Sequence, residues 1–431
     1  MRFISIKEAL EKKSGKVSLR GWVHRERGSS KFKFVVLRDS TNIIQCIIKK
    51  DKVGEELFDI ADKLQVETSL ELHGTLKEDE RAPTGYEVEV NQFEVIGESD
   101  KFPIGADQSR EFLDDNRHLW LRSRKMTAIM KIRSTFVQAR EEFFKSEKFI
   151  RFDAPILQPT QSEGGSTVFE VKYYKAKSYL AQTWQLYGEA GVFALEKIYN
   201  FGPTFRAEKS KTTRHLSEFW MAEMEAAWFD LKDVSEFAKK ELKYCIQQVI
   251  KERSEDLILL GQDPKKLLAM TKKEWPTIKY REVLDIIKKK DNISVKFGKD
   301  LRTEEEKAIM QHYDAPLIVT HYPVEAMGFY KPRDSEVSDE ALCFDMLAPG
   351  TGVEIVGGSQ RSLDVKDMED RLKADGEDPK DYEWYFDSRK YGSVPHSGYG
   401  VGTERVIAWI CGLDNIKDAI PFPRTMGRYT P

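Results

Sequence analysis

FRAEKSKTTRHLSEFWMAEME, residues Phe205–Glu225, gathers two arginines, a histidine and four carboxylates around aromatic rings within the length of one hairpin. Both ends alternate. Phe205 and Ala207 face away from Arg206 and Glu208, and after Glu218 the positions Phe219, Met221, Glu223 and Glu225 share one face of a strand. Lys209–Thr213 reads as the polar loop between them. Two carboxylates and a phenyl ring are costly to bury together without partners, so a cationic or hydrogen-bonding group is expected against that face. Arg206 and Arg214 could be internal partners. This density of fork-shaped donors, acids and an aromatic ring favours instead a site for phosphate and a purine.

A second dense group lies toward the C-terminus. Phe344-Asp345-Met346-Leu347 runs into a turn at Ala348–Gly352, and the strand Val353–Val356 follows, carrying Glu354. Two acids on adjacent strands joined by a tight loop can share one or two Mg²⁺ ions, hard cations that take oxygen ligands and accompany ATP phosphates. Asp345 lies inside an apolar run, which disfavours a solvated surface hairpin. HSGYGVGTERVIAWICGL (396–413) then sets Gly398, Gly400 and Gly402 before Glu404 and Arg405 open an apolar helix. The glycines admit close backbone approach to a ligand, and a helix start favours phosphate. Arg405 in the first turn opposes the helix dipole unless an anion meets it, which points to a triphosphate.

Upstream, Arg122–Lys148 has apolar residues at near-helical spacing, and the extended FIRFDAPIL (149–157) follows, with Pro155 confined to a strand edge or end. From 122 to 431 strands and helices mix without the alternation of a parallel sheet, so an antiparallel α+β domain is expected. Residues 1–100 read as all-β after a short amphipathic opening. The alternating runs Val17–Val23, Phe32–Leu37, Ile43–Ile48, Ser69–Leu76 and Tyr86–Ile96 predict a five-stranded OB-fold barrel, with 101–121 as the linker. Phe32 and Phe34 share a face amid Lys31, Lys33 and Arg38, and at least one is expected in the core. Between Lys16 and Lys50, nine Lys or Arg stand against two acids, a strip suited to a phosphate backbone. The whole chain is nearly balanced, 69 basic against 72 acidic residues, so no global field advertises nucleic acid. Cys46, Cys245, Cys343 and Cys411 form no CxxC pair, which excludes a zinc knuckle and a disulfide framework. No segment has the run of uncharged apolar residues that a membrane span needs, and no apolar leader is seen, so a cytoplasmic protein is expected.

Phe149–Leu157, Phe205–Glu225 and Gly398–Arg405 together resemble, in order and spacing, motifs 1, 2 and 3 of the class II aminoacyl-tRNA synthetases. With the N-terminal barrel, the chain resembles the aspartyl/asparaginyl/lysyl subgroup in its archaeal and eukaryotic style over essentially its whole length. The resemblance implies ATP and Mg²⁺ as cofactors. Arg206 would grip the α-phosphate, Glu208 the adenine end, and Arg214 with His215 the outer phosphates. Phe219 and Arg405 would sandwich the adenine, with Glu354 and Gly402 also bordering ATP. Arg206 and Arg405 would be the catalytic pair, because the amino acid's own carboxylate attacks and the enzyme supplies positioning and charge. Asp345 and Glu354 would hold Mg²⁺, Phe34 would stack on an anticodon base, and Gln45 would touch a base edge. The family also implies a homodimer, with the motif 1 helix and Pro155 at its interface.

The amino acid is decided by a few positions. Aspartyl members carry a lysine where QTWQLYGE (182–189) has Gly188, and an aspartate where this chain has Glu223. The longer carboxylate can accept the amide N–H of asparagine while Arg361 donates to its oxygen. GGSQR (357–361), which includes Ser359, and PHSGYG also resemble asparagine-specific members. Glu163, on a loop expected over the substrate, would meet the α-ammonium group with Gln185 nearby. The activity implied is ligation of L-asparagine to tRNA(Asn) through an adenylate, with release of AMP and pyrophosphate. Three alternatives stay open: an aspartyl enzyme that also charges asparagine tRNA, an enzyme making free asparagine, and a non-catalytic RNA-binding relative. Trp184, Ser362 and Met327-Gly328 depart from the asparaginyl pattern.

Overall fold

A computed structural model of the chain describes residues 2–162, 167–209 and 212–431. The chain divides into two units between Asp114 and Asp115. In the first, β1 (Gly15–Gly28), β2 (Phe32–Arg38), β3 (Ile43–Lys49), β4 (Ser69–Glu78) and β5 (Tyr86–Gly97) close a barrel in the order β1-β2-β3-β5-β4. Period-two alternation assigns the sides. Val35, Leu37, Ile44, Cys46 and Ile48 fill the interior with Leu70, Leu72, Val88 and Val90. The helix Glu55–Asp62, which strand alternation does not reveal, adds Phe58 and Ala61 to that core. The same period turns Phe32 and Phe34 outward, so neither is core, which corrects the expectation. Their rings meet edge to face at 5.3 Å, and the Arg27 guanidinium lies 5.1 Å from the Phe34 ring. Gln45 shares this outer face one row away, since Val36 pairs with Gln45 as Phe34 pairs with Ile47. It is nevertheless buried, and its Nε2 donates to Glu87 at 2.7 Å, so a base-edge contact would require that bond to open.

The second unit holds β6 (Ile150–Arg151), β7 (Leu157–Gln158), β8 (Glu170–Tyr173), β9 (Ala176–Leu180), β10 (Lys197–Phe205), β11 (Glu218–Ala227), β12 (Thr277–Lys279), β13 (Leu317–Thr320), β14 (Cys343–Leu347), β15 (Glu354–Gln360) and β16 (His396–Gly402). Eight of them order as β12-β13-β14-β15-β16-β11-β10-β6, and β7-β9-β8 form a small separate sheet. The centre is antiparallel and only the outer pairs, β12 with β13 and β6 with β10, are parallel. The stretch expected as a linker carries the helices Arg110–Asp115 and Arg117–Trp120. Buried Arg117 donates to the carbonyls of Lys417, Ile420 and Pro421, which draws the second of these helices into the second unit.

Register positions the site. Asp345 pairs with Gly357, Gly357 with Gly400, and Gly400 with Glu223. Paired residues in an antiparallel ladder point to one face. One row therefore crosses four strands with a carboxylate at each end and no side chain between. Met224 and Tyr399 point to the other face, where the helices Arg124–Ser146 and Leu231–Leu259 pack. There the Tyr399 hydroxyl and the Arg140 guanidinium both donate to fully buried Glu241, so the buried charges are paired and hydrogen-bonded. The glycines expected to approach a ligand lie within β16. A side chain on Gly398 would strike Glu225, and one on Gly400 would strike Met221, so their smallness first serves the neighbouring strand.

Candidate functional site

A cavity of about 300 Å³ opens over the glycine row. β10 ends at Phe205, so Arg206 and Glu208 start the loop rather than continue the strand, and both line the cavity with Arg214, His215 and Phe219. The Arg206 guanidinium stands 5.8 Å from the Phe219 ring centroid. Arg405 lines it too, and its Nη1 donates to the Glu354 carbonyl at 3.0 Å and carboxylate at 3.1 Å. That carboxylate is the anion a first-turn arginine needs. Gly402 leaves room for the arginine stem, whose Cδ would be 3.3 Å from a Cβ there. His215 sits 3.6 Å from Glu208, and burial, reinforced by Arg405, Arg214 and Arg206, lowers its pKa despite that carboxylate. Its imidazole is therefore neutral at pH 7 and acts as a hydrogen-bonding group rather than a cation.

Gly357 leaves a cradle at the Asp345 end of the row. A Cβ there would lie 3.0 Å from a Glu354 oxygen and 3.4 Å from an Asp345 oxygen, so both carboxylates converge over it. Burial, then repulsion by Glu354, pushes Asp345 well above the usual carboxylate range. Burial acts on Glu354 too, but Arg405, Arg206 and Lys331 hold it low. Two crowded hard-oxygen groups fit a divalent cation in place of the proton. Among the described residues no three such side chains converge, so a cation here would complete its shell with ligand phosphates and water.

The other end is built differently. Glu223 accepts from the Thr183 hydroxyl and, at 3.0 Å, from the Trp184 backbone N–H. Arg361 also lines the cavity and grips Glu225 through Nε at 3.1 and 3.2 Å. Its Nη1 donates to Ser359 at 2.7 Å. Ser359 is fully buried and does not line the cavity, so it supports Arg361 instead of meeting a ligand. Counting Nη2 to Glu225, three of the five guanidinium N–H groups are engaged among the described residues, and the other two are open to a ligand. Gln185 lines the cavity and donates to Glu189 at 2.8 Å. Glu163 lies outside the described residues; Gln182 bonds both flanks of its segment, accepting from Ser162 N at 3.0 Å and donating to Thr167 at 2.7 Å. Trp184 accounts for Gly188. Its six-membered ring lies where any Cβ at 188 would stand, and its indole N–H is fixed on the Phe152 carbonyl at 2.7 Å, so a lysine has no room.

Residues 109–426 match the family described as tRNA synthetases class II (D, K and N), and residues 17–96 match an OB-fold nucleic acid binding domain. The chain belongs to the class II tRNA synthetases. It is 45% identical to the asparagine–tRNA ligase of Thermoplasma acidophilum over 96% of both chains, and 43% identical to that of Thermococcus kodakarensis over 98% of this chain and 97% of the other. The structure of asparaginyl-tRNA synthetase from Pyrococcus horikoshii complexed with asparaginyl-adenylate matches with a TM-score of 0.95 and 41% identity, covering all of both chains. As an adenylate-forming synthetase the chain uses ATP.

This synthetase also has site residues that sequence reasoning passed over. Glu189, with no exposed surface, accepts from Tyr385 at 2.7 Å, from Gln185 and from Arg389, and lies 3.2 Å from His396 and 3.8 Å from Arg361. Burial alone would raise its pKa, yet Arg389, His396 and Arg361 hold it well below the usual range. Glu189 and Glu225 thus share Arg361, with Arg389 on Glu189 and the Glu223 carboxylate close by. The surplus falls on Glu225, which burial, Glu189 and Glu223 push up to about 8 despite its grip on Arg361. Lys331 lines the cavity, and its Nζ donates to the Met327 sulfur at 3.4 Å, beside the departure at Met327-Gly328. The signal for it was a lysine directly after Phe329-Tyr330.

Proposed function

We propose that the chain ligates L-asparagine to tRNA(Asn) in two steps, as a cytoplasmic homodimer. The asparagine carboxylate attacks the α-phosphorus of ATP and displaces pyrophosphate, and the adenylate then passes its acyl group to the tRNA with release of AMP. Arg206 holds the α-phosphate, Arg405 and Phe219 flank the adenine with Glu208 and Gly402 at its rim, and Arg214 and His215 meet the outer phosphates. Asp345 and Glu354 hold Mg²⁺, which when bound offsets triphosphate charge. Gln185 and Glu163 take the α-ammonium group. The observation that carries the choice of amino acid is the pairing of Glu223, an acceptor, with the two N–H groups of Arg361 that no described residue takes, in a pocket that is closed to a cation at 188. Asparagine satisfies both partners, whereas aspartate sets a carboxylate against Glu223. Such a like-charge contact costs several kcal/mol, roughly a hundredfold or more in discrimination. ATP–pyrophosphate exchange across an amino-acid panel tests this: asparagine should stand alone, and a preference for aspartate overturns the reading.

The barrel supplies the tRNA contact. Phe34 on its outer face supports base stacking, beside Arg27 for the backbone, and Gln45 is the adjacent candidate for a base edge. Phe34→Ala should weaken cognate tRNA binding by about 1–3 kcal/mol while leaving the melting temperature unchanged, because no core contact is lost. Unchanged affinity in a filter-binding titration rejects the stacking role. The dimer reading is supported by Ile150, Ile156 and Leu157 beside Pro155, which expose 48%, 43% and 40% of their surfaces.

A further inference from the structure

We infer that Glu306 and Thr303, on the helix Thr303–Met310 outside the three motifs, are positioning residues for the triphosphate and act through Arg214. The inference rests on the proposed assignment of Arg214 to the outer phosphates. A guanidinium on a long stem in a loop must be ordered before it can meet a ligand, at the cost of rotamer freedom. Two elements supply that order. Arg214 donates to Thr303 Oγ1 at 2.7 Å, to Glu306 Oε2 at 3.3 Å and to the Gly352 carbonyl at 3.4 Å. Gly352 belongs to the turn that joins Asp345 to Glu354. Its φ is +65°, and a Cβ there would stand 2.8 Å from Lys307 N and 2.9 Å from the Glu306 carbonyl. Only glycine lets that turn lie on the helix. The helix in turn buries Ala308 and Ile309 in a core with Leu317 and Val319, so the platform is rigid.

The charge of Glu306 needs a reason. A carboxylate beside a triphosphate repels it, and burial and Glu354 push Glu306 up to about 7 although Arg214 and Arg405 pull it down. Holding Arg214 in place is the task its position gives it. Three N–H groups of Arg214 face the platform, and among the described residues its other two remain for phosphate oxygens.

The test is pyrophosphate exchange with the full-length protein, asparagine saturating and ATP varied, on Arg214→Ala, Glu306→Ala, Glu306→Gln and the double variant R214A/E306A. Glu306→Ala should raise the ATP KM by about tenfold with the asparagine KM and melting temperature unchanged. Glu306→Gln, which keeps an acceptor, should recover part of that. In the Arg214→Ala background Glu306→Ala should add nothing. A further loss in that background would mean that Glu306 acts independently of Arg214, and a lowered ATP KM would mean that it competes with the triphosphate; either overturns the inference. A raised asparagine KM together with a lowered melting temperature would assign Glu306 a structural role and also overturn it. If Arg214→Ala itself leaves the ATP KM unchanged, the phosphate assignment fails; if only Arg214→Ala raises it, the assignment stands and the platform does not.

Discussion

Glu189→Gln should destabilise the catalytic unit by about 3–5 kcal/mol, read as a lowered urea midpoint, and raise the asparagine KM more than the ATP KM. The size follows from what the carboxylate holds. Glu189 has no exposed surface and answers Arg389, Arg361, His396, Tyr385 and Gln185 at once. An amide of the same shape can keep some of these hydrogen bonds but not the charge, leaving Arg361 with Glu225 and taking from Arg389 the carboxylate it donates to. Glu189 is itself fully buried, and a buried charge deprived of its partner costs far more than a surface pair, which contributes at most about 1 kcal/mol. The effect on asparagine comes through Arg361, whose aim is set jointly by Glu189, Glu225 and Ser359. A loss below about 1 kcal/mol would show that Glu225 alone compensates both arginines.

Glu189 was not legible in the chain, and the reason is general. Alternation along Phe219–Glu225 identifies the cavity face correctly, but Glu223 and Glu225 share that face and nothing local separates their tasks. The separation comes from register: Glu223 faces Gly400 at the cavity floor, while Glu225 faces Gly398 and takes Arg361. Glu189 arrives on the helix Gln185–Leu195, and its partners Arg361, Arg389 and His396 arrive from strands and helices far along the chain. Glu306 had a misleading local signal, since Thr-Glu-Glu-Glu reads as an ordinary acidic first turn. In the barrel, alternation shows two faces without saying which is inside. Only closure, with Val35 and Leu37 turned inward, leaves Phe32 and Phe34 outside. The elements with dense local chemistry, the hairpin around Arg206 and the Asp345–Glu354 pair, were legible as parts of one cavity because their charged residues lie close together in the chain.

Arg206→Ala should reduce asparagine-dependent pyrophosphate exchange by about 10²–10³-fold while tRNA affinity stays within about twofold. The substitution keeps the hairpin's backbone pairing, because the Arg206 N–H, which donates to Ser217 O at 3.0 Å, survives in alanine. What is lost is a guanidinium in the cavity that, after Arg405, does most to hold Glu354 ionised. Under the proposed assignment of Arg206 to the α-phosphate, attack there gathers negative charge on the phosphoryl oxygens, and a fixed cation lowers that barrier without reorganising. Arg206→Lys should recover only part of the rate, since an ammonium restores the charge but not the two-pronged contact. tRNA affinity is expected to persist because the barrel has its own core from Ile6 to Val95 and none of it involves Arg206. Exchange within threefold of the unaltered protein would remove Arg206 from the chemistry. Parallel loss of exchange and tRNA binding would point to misfolding, which the melting temperature of the variant reports directly.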